Sequence, residues 1–283
     1  MPTLATNTGS LEKVDVEESS IKLVRCRAFS DVFTAELDGV PVCVELVRWP
    51  EDLTDVNAVN ATHAKILNKL EEWASLSHES IMPFKGYCEG IRGPLLGLRK
   101  EPDVDRLSLL IQCAEGLAYL HSRGIPHGDI TSDNILISVT NDTPHAFIYG
   151  FGIPKILDGA AYSPALFRRG EVILPPELET AALTEPSISG SFTAATDVWS
   201  FGILAYQIFT DGKHAKVWES GGDPKLEQYL GEIHGMTPEL WNIMQSCCQR
   251  EPSERPSMDE VCSKLKELQG FGGPPTKDSD IGV

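Results

Sequence analysis

The residues best suited to chemistry are concentrated in one polar stretch, His127-Gly128-Asp129-Ile130-Thr131-Ser132-Asp133-Asn134. Histidine and aspartate are side chains that proteins use for proton transfer, but a lone histidine two residues before an aspartate is a weak signal. The seven cysteines offer no second candidate, because none forms a Cys-x-x-Cys pair and most lie inside apolar runs. This pattern favours reduced, buried thiols in an intracellular protein over a disulfide framework or a zinc site.

Short motifs on either side of this stretch strengthen the signal. Gly-Leu-Ala-Tyr-Leu-His precedes it at Gly116–His121, and Ile135-Leu136-Ile137 follows it directly. Further along come, in this order, Gly150-Phe151-Gly152, Pro175-Pro176-Glu177, Asp197-Val198-Trp199-Ser200-Phe201-Gly202 and Arg255-Pro256. The stretch and the ordered set resemble the catalytic loop and the large lobe of the protein kinases.

The region before residue 100 extends this resemblance. Glu72-Trp73 and Leu76-Ser77-His78 lead into Ile81-Met82-Pro83-Phe84-Lys85-Gly86, a pattern similar to the tyrosine-kinase-like group and to its fungal members in particular. The resemblance runs from about Ile21 to Leu268. It implies an α+β, two-lobed protein-kinase-like fold, with a small antiparallel β lobe that contains one helix and a larger, mainly helical lobe.

The periodicity of apolar residues predicts the same two parts independently. Strands are expected at Ile21–Cys26, Val32–Leu37 and Val40–Val47, with Asp38-Gly39 as the turn between the last two. A single helix then presents one apolar face, made of Ile66, Leu67, Leu70, Trp73 and Ala74.

Helical patterns dominate from Asp105 onward. The first helix has an apolar stripe that contains Leu110, Ala114 and Leu117 with His121, and Gly124 is a stop signal. Three further helices are expected to begin at Thr196 as a cap, at Thr237-Pro238, and at the capping box of Ser257 and Glu260, the last of them ending near Gln269.

These patterns divide the chain into four segments. We expect a disordered lead-in over residues 1–18, a small kinase-like lobe over 19–98, a large kinase-like lobe over 99–269 and a flexible tail over 270–283.

The resemblance implies phosphoryl transfer from ATP, which this fold achieves largely by positioning and by charge neutralisation. A glycine-rich loop covers the phosphates, and a lysine on the third strand grips them and pairs with a glutamate on the helix. An aspartate and an asparagine hold magnesium, and the aspartate of the catalytic loop orients the substrate hydroxyl. Asp129 and Asn134 match two of these positions.

The chain departs from the kinase pattern where ATP and magnesium are normally held. The departures are Arg25, Arg27 and Ser30 at the glycine positions, Glu45 at the lysine, Lys69 at the helix glutamate, Gly128 at the catalytic-loop arginine and Gly150 at the metal-binding aspartate. A carboxylate at Glu45 repels phosphates, and Gly150 offers no side-chain ligand to magnesium. No metal site is therefore expected.

Glu45 and Lys69 exchange the signs of the usual lysine–glutamate pair. Our hypothesis is that they form a reversed ion pair that keeps the helix close to the sheet. Two alternatives remain open, namely that both side chains point to solvent and that Lys65 is the partner of Glu45.

The retained residues allow both a functional and a structural interpretation. Asp129 and Asn134 either support residual catalysis or fix their loop by hydrogen bonds, and the structural interpretation is favoured because the metal and lysine positions have changed. The other matches are structural. They are Val32, Cys43 and Leu136 in a vestigial adenine pocket, Trp73, Phe84, His127 and Phe151 in a stack between the lobes, and the ion pair of Glu177 and Arg255.

Charge and hydropathy limit the classes of partner. A formal net charge of −17 argues against nucleic acid and against an anionic membrane surface. No apolar run is long enough to span a membrane. We expect a cytoplasmic protein, with the nucleus as a second possible location. Its expected partner is another protein, and an active kinase is one candidate.

Three functions are compatible with these residues. The leading one is a pseudokinase that acts as a scaffold or allosteric regulator. The alternatives are a weakly active Ser/Thr kinase with an atypical metal site, and a metal-independent nucleotide sensor. No cofactor is expected, with ATP bound weakly or without metal at most. The candidate interaction surfaces are the helix around Lys69, the activation segment Phe151–Glu177 and the loop Thr184–Thr196.

Overall fold

The computed structural model describes residues 11–26, 30–47, 56–86, 105–140, 143–150, 174–184, 191–210 and 236–271. These residues belong to two compact units. The first unit contains residues 11–26, 30–47, 56–77 and 83–86, and the second contains the others.

The first unit is built on a three-stranded antiparallel sheet in the order β1-β2-β3. The strands are β1 (Lys22–Cys26), β2 (Ser30–Leu37) and β3 (Val40–Val47), and helix α1 (Val56–Ala74) follows them. Asp38 and Gly39 both have positive φ, at 52° and 74°. A two-residue turn with this backbone matches the twist of the strands that it joins, so the predicted hairpin is confirmed.

The segment before β1 also belongs to this unit. Leu11 is buried, and the backbone N–H of Glu17 donates to the carbonyl of Glu36 at 3.0 Å. A single 3-10 turn, Glu18–Ser20, leads into the sheet. The small lobe therefore begins earlier than the boundary at residue 19 that composition predicted, because a few specific contacts hold a segment that is polar on average. Residues 1–10 lie outside the described ranges.

The second unit is mainly helical. Its elements are α2 (Arg106–Ser122), β4 (Ile135–Thr140), β5 (Thr143–Ile148), α3 (Pro176–Thr184), α4 (Ala194–Thr210), α5 (Pro238–Cys247) and α6 (Met258–Phe271). Helix α2 packs against α6 and β5, and α4 packs against α5. The most deeply buried side chains come from all of these helices except α3, and they include Leu110, Leu117, Phe201, Tyr206, Met244 and Leu265.

The predicted helix caps are largely confirmed. The Thr237 hydroxyl accepts from the N–H of Leu240 at 3.2 Å, and Pro238 occupies the first position of α5. Ser257 and Glu260 form the reciprocal capping box of α6, with the Glu260 carboxylate accepting from the Ser257 N–H at 2.8 Å. Gly124, with φ 71°, follows the end of α2.

The start of α4 differs from the prediction. The helix begins at Ala194 rather than after Thr196. The hydroxyl of Thr193 accepts from the backbone N–H of Thr196 at 3.3 Å. In return, the hydroxyl of Thr196 accepts from the backbone N–H of Thr193 at 2.9 Å. Two threonines three residues apart satisfy each other's backbone donors, so Thr196 lies inside the first turn.

The two units together give the α+β architecture that the sequence predicted, with a small antiparallel sheet and one helix in one unit and a mainly helical second unit. The β4–β5 hairpin and helix α3 are additions that the sequence patterns did not predict. Among the helices in the described ranges, none is long and apolar enough to cross a membrane.

Candidate functional site

His127 is fully buried and has a hydrogen bond at each ring nitrogen. Its Nδ1 accepts from the backbone N–H of Asp129 at 3.1 Å, and its Nε2 lies 3.0 Å from the carbonyl oxygen of Tyr149. Because a carbonyl only accepts and an amide N–H only donates, the proton of the ring lies on Nε2. His127 therefore joins its own loop to the end of β5 as a neutral imidazole.

Asp197, at the first turn of α4, holds the backbone of the same loop. Its carboxylate accepts from the N–H of His127 at 2.6 Å and from the N–H of Gly128 at 2.8 Å. Nε2 of His121, on α2, lies 2.9 Å from the same carboxylate. The sequence showed Asp197 only as part of a motif, and its role as a buried acceptor depends on α4 and the loop being adjacent in the fold.

Asp129 and Asn134 are in direct contact. The side-chain amide of Asn134 donates to the carbonyl oxygen of Asp129 at 2.7 Å and to its carboxylate at 2.8 Å. The carbonyl of Asn134 accepts from the N–H of Tyr149 at 3.1 Å, and Asn134 is 1% exposed. These hydrogen bonds close the loop onto itself and onto Tyr149, the residue that follows β5.

Two glycines lie next to the residues of this arrangement, because Gly128 follows His127 in the chain and Gly150 follows Tyr149. Gly128 has φ 82° and Gly150 has φ 76°, both in the left-handed region that strongly favours glycine. Gly150 follows Tyr149 at the position where the kinase pattern places an aspartate for magnesium. Within the described part of the chain, no group of three or more His, Cys, Asp or Glu side chains is arranged to hold a metal ion.

In the first unit, Glu45 lies on the same sheet face as two residues of the predicted adenine pocket. Val32 and Glu45 are directly opposite each other in the β2–β3 ladder, and Cys43 lies two residues before Glu45 on β3. Because alternate residues of a strand share a face, all three lie on one side of the sheet. Val32 is buried and Glu45 is half-buried, so a carboxylate stands beside the apolar side chain.

The other predicted positions of the nucleotide region are only partly described. Arg25 is opposite Val32 in the β1–β2 ladder, and Ser30 is the first residue of β2. Arg27 lies outside the described residues. Leu136 belongs to the second unit, where it is half-buried and paired with Phe147 across the β4–β5 hairpin.

Lys69 makes an ion pair within its own helix. Its ammonium bonds the carboxylate of Glu72, three residues further along α1. This i,i+3 spacing places two side chains on the same helix face. The reversed pair between Lys69 and Glu45 remains a prediction, and Glu72 is a competitor for the same ammonium.

Two of the four aromatic positions assigned to the interlobe stack contact each other. The rings of Trp73 and Phe84 have their centroids 5.8 Å apart, within the range of favourable aromatic pairs. Phe151 lies outside the described residues. Trp73 is on α1, so this contact joins the helix to the segment that ends at Gly86 in the same unit.

Arg255 and Glu177 form the expected ion pair in the second unit. The guanidinium meets the carboxylate with both terminal nitrogens, at 2.6 and 2.7 Å. The remaining donors of Arg255 bond the carbonyls of Gln249, Ala195 and Arg250. All five N–H groups of the guanidinium thus have acceptors, and its carbon lies 5.1 Å from the centre of the Trp199 ring.

Known proteins with similar sequences are protein kinases, in agreement with the kinase-like motifs of this chain. Residues 98–265, more than half of the chain, match the family "Protein tyrosine and serine/threonine kinase". The human proto-oncogene tyrosine-protein kinase ROS is 31% identical over 188 residues, which are 63% of this chain and 7% of that protein. The tyrosine kinase receptor Cad96Ca of Drosophila melanogaster is 32% identical over 169 residues, 58% of this chain and 21% of that protein.

A third relative covers more of the chain. The mitogen-activated protein kinase kinase kinase of Drosophila melanogaster is 24% identical over 286 residues, 90% of this chain and 23% of that protein. The chain spans less than a quarter of the length of each of these three relatives. From the family match and the ordered motifs, this chain belongs to the protein tyrosine and serine/threonine kinase family.

Proposed function

We propose that this kinase-family domain is a pseudokinase, which works as a protein-binding scaffold or allosteric regulator with phosphoryl transfer from ATP lost or severely impaired. The observation that carries the proposal is Gly150. The residue has no carboxylate, and its φ of 76° is a conformation that glycine adopts at little cost. A kinase depends on a metal to neutralise the charge that develops on the phosphates, and Gly150 provides nothing to hold it.

Glu45 supports the same proposal from the other unit. Its carboxylate stands beside Val32 on the sheet face where the family places a lysine for the phosphates. At an effective dielectric of about 20, two like unit charges about 4 Å apart repel by about 4 kcal/mol. Exchanging a cation for an anion thus removes an attraction for ATP and adds a repulsion.

A weakly active Ser/Thr kinase is the second candidate. The contact between Asn134 and Asp129, at 2.7 and 2.8 Å, keeps the catalytic-loop aspartate in a defined position. A domain that retained transfer would use Asp129 to orient a hydroxyl and would hold its metal in an atypical way. A metal-independent nucleotide sensor is the third candidate.

A thermal-shift titration separates the three candidates. The purified chain is titrated with ATP alone, with ATP and Mg²⁺, and with ATP and Mn²⁺, alongside an active kinase domain as positive control. A ligand at about one hundred times its Kd stabilises a protein by about 2.7 kcal/mol, which shifts the Tm measurably. We expect no shift under any of the three conditions.

Two other outcomes would contradict the proposal. A shift with ATP alone would identify a nucleotide sensor. A shift that requires metal, together with phosphate transfer that Asp129→Asn abolishes, would identify a kinase. Asp129→Asn is the informative variant because an amide preserves the size of the side chain while removing its ability to take up a proton.

We propose that the partner is a protein, with an active kinase as the specific candidate. The compartment that we propose is the cytoplasm. The acidic net charge of −17 favours partners with a basic surface over nucleic acid. The similarity to fungal tyrosine-kinase-like proteins remains a prediction. Affinity capture from a native extract, compared with capture by a charge-matched acidic protein, identifies the partner.

A further inference from the structure

The segment Leu11–Ser20, here called the strap, is attached to the sheet of the first unit by a small hydrogen-bonded cluster. The N–H of Glu17 donates to the carbonyl of Glu36 at 3.0 Å. The hydroxyl of Ser20 accepts from the N–H of Glu36 at 2.8 Å and donates to the carbonyl of Glu17 at 2.6 Å. Both polar backbone groups of Glu36 on β2 are therefore bonded to the strap.

The strap has a second attachment at Gly86. The φ of Gly86 is 142°, and a Cβ atom added there would lie 2.5 Å from the carbonyl oxygen of Glu12 and 2.8 Å from Cγ1 of Val14. Glu12 presents its backbone, which cannot turn aside as a side chain can. Leu11, the residue before Glu12 in the chain, is buried, with only 8% of its surface exposed. The strap thus lies against Gly86 at a distance that only glycine allows.

Gly86 connects the strap to helix α1 through two aromatic rings. Phe84 is two residues before Gly86, and its ring packs on Trp73 with centroids 5.8 Å apart. Trp73 is 9% exposed and lies in the last turn of α1. A displacement of residues 84–86 therefore acts directly on the end of α1, because packed side chains transmit displacement rather than absorbing it.

We propose that the strap is a regulatory element that sets the position of α1 through Gly86 and Phe84. Most of the described side chains of the strap are exposed or half-buried, so the strap is expected to open at a lower free energy than the sheet beneath it. A partner that binds the strap would then change the surface that α1 presents. This inference goes beyond the proposed function and holds whether or not the domain transfers phosphate.

Hydrogen–deuterium exchange with mass spectrometry tests the coupling in the full chain. Leu11→Ser removes the buried anchor of the strap, while Glu12→Gln changes an exposed side chain of the same segment and serves as control. In Leu11→Ser we expect exchange to become about fivefold faster, or more, both in the strap and in α1 around Trp73. Glu12→Gln is expected to leave both regions unchanged.

A second pair of variants tests Gly86 itself. Gly86→Ala introduces the clash with Glu12, whereas Gly39→Ala strains a left-handed backbone in the same unit with nothing within 4 Å of the new Cβ. Only Gly86→Ala is expected to release the strap and to speed exchange around Trp73. If Gly86→Ala fails to fold, Leu11→Ser decides the question alone.

Two results would overturn the inference. If both Leu11→Ser and Gly86→Ala leave exchange in the strap unchanged, the segment is not held by these contacts. If exchange rises in the strap while α1 keeps the rate of the unmodified chain, the strap covers the sheet without controlling the helix.

Discussion

At the residue scale, the carboxylate of Asp197 organises the loop that carries His127 and Gly128. Asp197 is 1% exposed, and its carboxylate accepts from the backbone N–H groups of His127 and Gly128. The same carboxylate lies 2.9 Å from Nε2 of His121. Buried backbone donors without an acceptor are costly. The Asp197 carboxylate therefore supplies acceptors that the backbone N–H groups of His127 and Gly128 would otherwise lack in the folded loop.

The loss of Arg255 is expected to lower stability strongly. Its side chain is fully buried, and removing it leaves the Glu177 carboxylate and three carbonyls without their donor. Breaking a buried pair in this way costs about 3 kcal/mol. Arg255→Ala is therefore expected to lower the free energy of unfolding by that amount in a urea titration.

Arg255→Lys and Arg123→Ala are the matched comparisons. Lysine retains the charge but lacks the planar fork, so an intermediate loss is expected. Arg123 is exposed, with its guanidinium 5.4 Å from the centre of the Tyr119 ring, and its removal should cost less than about 1 kcal/mol. A loss for Arg255→Ala as small as that of Arg123→Ala would contradict the buried-pair argument.

At the scale of the element, helix starts depend on local pairs of polar residues. Glu260 illustrates this, because its carboxylate accepts from the N–H and the hydroxyl of Ser257 at 2.8 and 2.9 Å. The hydrogen bond from the Ser257 backbone N–H holds the pKa of Glu260 below its ordinary value of 4.5, and the bond from the Ser257 hydroxyl adds a smaller effect in the same direction. The charged form is the one that caps α6.

The contribution of Glu260 to stability therefore depends on pH. A carboxyl whose pKa is lower in the folded chain stabilises the fold above its unfolded pKa, and this contribution is lost as pH falls through the folded pKa. We expect Glu260→Ala to lower the Tm at pH 7, and the difference from the unmodified chain to shrink progressively below pH 4.5.

Glu267→Ala, an exposed change on the same helix beyond its first turn, is the control for this titration. It removes a carboxylate of the same kind without removing a cap. If the Tm difference of Glu260→Ala stays constant from pH 7 down to pH 3, the capping box makes no contribution through the carboxylate.

At the scale of the whole molecule, buried thiols report on the integrity of the second unit. Burial raises the pKa of Cys113 to about 12, and burial likewise raises the pKa of Cys247 to about 12. The ordinary value for both is 9.0. Since the thiolate is the reactive form, neither group is expected to react while the unit is folded.

Alkylation with iodoacetamide at pH 8, followed by mass spectrometry, checks this expectation. Cys113 and Cys247 should be modified only as fast as the unit opens, and rapidly once urea has unfolded it. Rapid labelling without denaturant would show that the core around α2 and α5 opens readily.

Because the pKa values of Cys113 and Cys247 are raised in the folded chain, the free energy of unfolding is also expected to fall as pH increases from 9 towards 12.

Features that depend on neighbours in the chain were predictable from the sequence. The Asp38-Gly39 turn, the capping box at Ser257 and the cap at Thr237 all involve residues no more than three positions apart. The order of the kinase motifs belongs to the same class, because it is carried by the chain itself. The start of α4 was missed, since two threonines three residues apart each qualify as the cap.

The sequence by itself determined the α+β class, the two parts, the kinase family and the identity of the residues that stand at Glu45, Gly128 and Gly150. Only the tertiary structure decided that Asp197 holds the loop of His127 and that Glu12 lies against Gly86. Both contacts join residues about seventy positions apart. Their existence depends on how elements pack, and neither composition nor periodicity encodes the distance between two backbone segments that are remote in the chain.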